Sequence, residues 1–154
     1  MKRILALAIG CLFTFSVYAA PAAVYEKSAK MPLSTAATRM VHALKSHKFK
    51  VVLQIPIGKK LAKHARAWGA DYNRSRLDGI HSIVFCNGWF ANQVSNKDPA
   101  MLAVCPMHLT IIEKHGIATV LFVRPSVVGA GSAAEPVLRK LEHKVVAAID
   151  AGLR

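Results

Sequence analysis

"MHLTIIEKHGIATVLFV", Met107 to Val123, carries the strongest structural signal in the chain. Two apolar runs rich in β-branched residues, "MHLTII" and "IATVLFV", flank "EKHG", a short link ending in Gly. That pattern predicts two strands joined as a hairpin. Upstream, "HSIVFC" sets His81, Ile83 and Phe85 against Ser82, Val84 and Cys86, the period-2 alternation of a strand. "FKVVLQIPI", Phe49 to Ile57, is rich in aromatic and β-branched residues, and Pro56 closes its ladder because it has no N–H to donate. The expectation is a mainly antiparallel sheet of about four strands.

Helical spacing fills the gaps between these runs. Ser34 is placed to cap a helix whose Ala37, Met40, Val41 and Leu44 form one apolar face, ending near His47. "GKKLAKHARAWG" puts Leu61, Ala62, Ala65 and Trp68 on one side, and Lys59, Lys60, Lys63 and Arg66 mainly on the other, with Gly69 as its stop. Asp98 before Pro99 opens a short helix over "PAMLAV". "SAAE", Ser132 to Glu135, has the form of a capping box ahead of Leu138, Leu141, Val145 and Ile149, which run as a long C-terminal helix toward Gly152. A late hairpin and a final amphipathic helix predict an α+β domain with helices packed on one face of the sheet.

The N-terminus points to export. "MKRILALAIGCLFTFSVYAA" has a basic start, an apolar run and small residues at its end, so residues 1–19 are expected to be a signal peptide cut after Ala19. Lipoprotein processing at Cys11 is the lesser alternative, because Ala8 replaces the usual Leu and the apolar run continues past the cysteine. Residues 20–33 are expected to be a flexible lead-in, and residues 34–154 a single domain. The location expected is periplasmic or secreted.

The chain holds 21 Lys and Arg against 8 Asp and Glu, a net charge of +13. Removing Lys2 and Arg3 with the signal leaves 19 basic residues and +11. An exported chain with few aromatic residues is a poor nucleic-acid binder, so no nucleic-acid partner is expected. The charge suits a small ligand, an envelope protein with an acidic surface, or peripheral contact with a membrane surface. Lys59, Lys60, Lys63 and Arg66 are the candidate anion-binding residues, although charge runs of this kind usually form a solvated helix face. Seven histidines would add positive charge below about pH 6.5, strengthening any anion binding.

Two cysteines remain in the exported chain, Cys86 and Cys105. In an oxidising compartment an even pair defaults to a structural disulfide. Cys86 ends one predicted strand and Cys105 precedes the next, so their Cα atoms could approach the roughly 4.4–6.8 Å that a disulfide needs. Closing a loop of about 20 residues would stabilise by about 3 kcal/mol in the chain-entropy model. The alternative is a thiol-redox pair, or a metal or haem site in which Met107 and His108 support Cys86 and Cys105. Such soft donors suit copper, zinc or haem iron. No cofactor is expected under the first reading. Strand alternation weakens the ligand set, since Cys105 and Met107 share a face that His108 does not. "NGW" after Cys86 reads as a turn, Trp89 and Phe90 as packing residues, and His42, His81 and His143 as ordinary surface residues. No catalytic triad, paired-carboxylate site or phosphate-cradling loop is legible, so an enzyme is the less favoured reading.

"HKFKVVLQI", "FCNG" at Phe85–Gly88, "DPAMLAVCP" at Asp98–Pro106 and "LTIIEKHGIATVLFV", taken in that order, resemble the bacterial domain of unknown function 302 family. The resemblance covers roughly Ser34 to Leu153. It implies a compact α+β domain that self-associates, for instance as a homodimer, and it implies no reaction. Cys86 stands where the family commonly has Gly, and Cys105 where it commonly has Leu, so the pair is particular to this chain or its branch.

Overall fold

The computed structural model describes residues 22–154. The expected signal peptide and Cys11 lie outside the described residues. Among the described residues, five strands form one sheet: β1 (Val24–Lys30), β2 (Lys50–Ile55), β3 (Gly79–Cys86), β4 (Met107–Lys114) and β5 (Ile117–Val123). Their spatial order is β1-β5-β4-β3-β2, and every neighbouring pair is antiparallel. At the β4–β5 hairpin, Lys114 pairs with Ile117, and His115 and Gly116 turn the chain with φ of 53° and 73°. A two-residue turn with positive φ at both positions matches the twist of the flanking strands.

The fold class is the expected one, and the additional strand is β1. The expected lead-in at 20–33 contains it, hydrogen-bonded along β5 from Val24↔Val123 to Lys30↔Ile117. Its sequence concealed it because its inward positions are Tyr25, Lys27 and Ala29. Two of these meet a carboxylate: Tyr25 Oη and Lys27 Nζ lie 2.9 and 2.6 Å from Asp150 Oδ1.

Among the described residues, six helices connect and cover the sheet: α1 (Leu33–Ser46), α2 (Ile57–Ala62), α3 (Ala65–Trp68), α4 (Gly88–Lys97), α5 (Pro125–Val128) and α6 (Glu135–Gly152). α1 crosses β2 to β5 and packs along α6, close enough that a Cβ on Gly152 would lie 3.0 Å from Met40 Cε. Met40, Leu44, Leu138, Leu141 and Ile149 meet Ile83, Phe85, Leu109, Ile111, Val120 and Phe122 from the sheet, all fully or almost fully buried. Each such side chain contributes about 1.5–3 kcal/mol relative to exposure. At the outer edge of the sheet, β2 carries a bulge between Val51 and Leu53.

Local chemistry corrects several helix boundaries. Pro32, not Ser34, is the N-cap of α1, and the Leu33 N–H donates to Glu113 Oε2 at 3.0 Å. "SAAE" is no capping box. α6 begins at Glu135, whose carboxylate accepts from the Gly131 N–H at 2.7 Å, while Ser132 Oγ is buried without a partner. Asn87 does more than turn the chain: its Oδ1 accepts from the Phe90 N–H at 3.2 Å, capping α4, and its amide donates to Lys48 O at 2.8 Å. The expected basic helix divides at Lys63–His64 into α2 and α3 and ends in a 3-10 turn at Gly69–Asp71. The cap at Asp98 is as expected, accepting from the Ala100 N–H at 3.1 Å ahead of a 3-10 turn at Pro99–Val104.

Candidate functional site

The two cysteines come to one corner. β3 and β4 are neighbours, Phe85 is registered with Met107, and so Cys86 and Cys105 lie at the same end of adjacent strands. Both are half-buried, unbridged thiols. The Cys105 N–H donates to Leu102 O at 2.9 Å, and the Cys105–Pro106 peptide is cis. Burial, and then the nearby Cys86, push the Cys105 thiol above its ordinary pKa. A reactive thiol needs the opposite shift, because the thiolate is the nucleophile.

Met107 and His108 do not complete a ligand set with them. Met107 is 4% exposed in the core and His108 projects on the exposed face, because successive strand residues point to opposite sides. Among the described residues no three His, Cys, Asp or Glu side chains converge as metal ligands would.

A groove of about 820 Å³ opens on the helix side of β3, at the end remote from the cysteines. One wall is the start of α1, at Leu33, Ser34 and Ala37. The other is the excursion between β2 and β3, which brings in Lys59, Leu61, Trp68 and Tyr72. Ile80 and His81 of β3 lie between them. Two glycines allow this closeness. A Cβ on Gly58 would stand 3.0 Å from the Ile80 nitrogen, and one on Gly79 would stand 2.5 Å from Leu33 Cδ2. Trp68 is 44% exposed and stacks on His64, with ring centroids 4.9 Å apart.

The charged groups around the groove are mostly occupied. Arg74 lies 3.7 Å from Asp71, and Asp78 Oδ2 accepts from the His115 N–H at 2.6 Å. His81 Nε2 is 3.3 Å from Gln54 Oε1, and burial pushes its pKa down, so the neutral ring dominates at pH 7. Of the expected anion-binding residues, Lys59 lines the groove, while Lys60, Lys63 and Arg66 stand exposed beside it. His81, expected at the surface, belongs to the groove instead. Sequence reasoning missed Leu33, Trp68 and His81 as one site because nearly fifty positions separate the first from the last; the only local hint was a glycine beside each apolar run, at 58 and 79.

The model of the family described as "Domain of unknown function DUF302" matches residues 25–152. No curated protein matches the chain. Among solved structures, the crystal structure of an uncharacterized conserved protein DUF302 from Bacillus stearothermophilus is similar, with a TM-score of 0.74 at 18% identity, over 86% of this chain and 98% of that one. At that identity the likeness concerns the fold.

Proposed function

We propose, for a chain that belongs to the DUF302 family of domains of unknown function, that it is an exported binding or accessory protein, holding a small ligand in the groove between α1 and the β2–β3 excursion. The groove carries this reading: its volume of about 820 Å³ is in the range of small-molecule sites, and its lining combines mainly apolar surface with polar side chains able to orient a ligand. The exposed Lys60, Lys63 and Arg66, on the same excursion as Lys59, add a basic surface. Such a surface favours the approach of anionic ligands or acidic envelope partners, and less so as salt rises.

A thermal-shift screen of small metabolites tests it. At least one compound should raise the melting temperature of the wild type and not of Ala62→Phe, which fills the groove from an exposed position. A ligand at about 100 times its Kd would stabilise by about 2.7 kcal/mol. A screen in which every stabilising compound acts equally on Ala62→Phe would sink the reading.

In the same reading Cys86 and Cys105 close as a structural disulfide once exported. Their place at one end of neighbouring strands supports it, and the raised Cys105 pKa speaks against the thiol-redox alternative. Intact mass of the exported protein, alkylated under denaturing, non-reducing conditions, should show both thiols blocked. Replacing both by Ser should lower stability by about 3 kcal/mol and leave groove binding unchanged. Two freely alkylated thiols would return the corner to the redox reading.

A further inference from the structure

We infer that the groove takes a monomeric amphiphilic anion, an apolar chain or ring lying along Leu33, Leu61, Trp68 and Ile80 and ending in one carboxylate-type charge beside Lys59. The inference rests on the groove being the binding site and adds the class of ligand. Its first support is the lining, whose exposed surface is mainly apolar and includes Leu33, Leu61, Trp68 and Ile80, with the polar residues Asp71, Asn73, Arg74 and Ser75 coming from one short segment. Apolar surface removed from water is the main source of affinity for such a guest.

The second support is what remains after the charges are paired. Asp71 faces Arg74 at 3.7 Å, and Asp78 accepts from the His115 N–H while keeping its own charge. His81 is neutral and turned to Gln54. Lys59 is then the lining cation without a carboxylate partner among the described residues. Ser34, in the first turn of α1, adds a hydroxyl donor to the groove wall. One free cation suits one anionic oxygen pair. A polyanion would find too few partners, a cationic guest would have Asp78 to meet but Lys59 and the nearby Lys60, Lys63 and Arg66 against it, and a neutral one would leave Lys59 unused. The neighbouring Lys60, Lys63 and Arg66 bias the approach the same way.

Isothermal titration calorimetry of the mature chain with decanoate and decan-1-ol, below their aggregation limits, separates the elements of this inference. Decanoate should bind one to one, and about fivefold or more tightly than the alcohol. Lys59→Gln should erase that preference while keeping alcohol binding, and Ala62→Phe should lose both; both positions are exposed, so circular dichroism should be unchanged. Equal binding of alcohol and acid by the wild type would overturn the anionic class and leave the groove standing. Binding of neither, alongside a screen compound that Ala62→Phe loses, would do the same. Binding that Ala62→Phe does not alter would remove the groove itself. Adsorption to phosphatidylglycerol vesicles without binding of monomeric decanoate would replace a soluble ligand by a membrane surface, and the inference would fall.

Discussion

The β4–β5 hairpin and the β2–β3 excursion are built on opposite terms. Between Met107 and Val123 every second side chain enters the core: Met107, Leu109, Ile111, Ala118, Val120 and Phe122 are all buried. Between Pro56 and Asp78 no residue is fully buried, two short helices and a 3-10 turn replace a continuous one, and His64 interrupts them. Regions with few buried contacts open locally at low free energy, whereas core strands open only with the whole fold. The hairpin therefore fixes the frame, and the excursion is the part that opens at the lower free energy.

The comparison breaks first in the core. Leu109→Ala should destabilise by about 2–5 kcal/mol, because it removes a fully buried side chain and leaves a cavity. Chemical denaturation should show this as a large fall in midpoint. A comparable Leu→Ala change in the excursion, at the half-exposed Leu61, should fall well short of it.

Next comes the polar clamp behind β5. Glu142, 3% exposed on α6, accepts from Arg124 Nε at 2.8 Å, from the Ser126 N–H at 3.1 Å, and from the Ser126 hydroxyl. Burial alone would raise its pKa, but the hydrogen bonds from Ser126 and Arg124 outweigh it and hold the carboxyl below its ordinary range. Asp150 is lowered by Lys27 first, with Tyr25 assisting against burial. Carboxylates with depressed folded-state pKa values stabilise fully above their unfolded values, roughly 4, and lose that contribution as pH falls through the folded ones. The melting temperature should therefore hold near neutrality and drop below about pH 4. In Glu142→Gln the neutral protein should be weaker by about 2 kcal/mol, and the acid drop should shrink; an unchanged acid profile would dismiss the clamp.

Smaller still is the turn. Gly116 has φ of 73°, so Gly116→Ala should cost about 1 kcal/mol through backbone strain alone. Smallest is the excursion's surface: Lys60→Gln should change stability by no more than about 0.5 kcal/mol and act only on the salt dependence of the anion binding proposed above. A large stability loss there would mean that the excursion belongs to the frame after all.

The same contrast explains what could be read from the chain. The hairpin was legible because its alternation of apolar and polar residues matches burial position by position. β1 was not, since an edge strand that turns Tyr25 and Lys27 toward a carboxylate carries no apolar period. α4 was hidden because Asn87-Gly88 has the composition of a turn, and only the approach of Lys48 O shows the asparagine acting as a cap. The cysteine corner followed from strand adjacency. The groove did not, because its walls come from α1, the excursion and β3, and no short stretch of sequence contains all three.

The bulge between Val51 and Leu53 bears on the molecule's behaviour in a crowd. β2 is an outer strand with Val52 and Leu53 59% and 53% exposed, the composition of a segment that could recruit other copies into fibrils. The extra residue breaks the regular row of unpaired N–H and C=O groups and twists it away from flat stacking. Deleting Val52 would straighten that row. An otherwise folded protein would then begin to aggregate with time and concentration, so the irregularity in β2 acts as a solubility device.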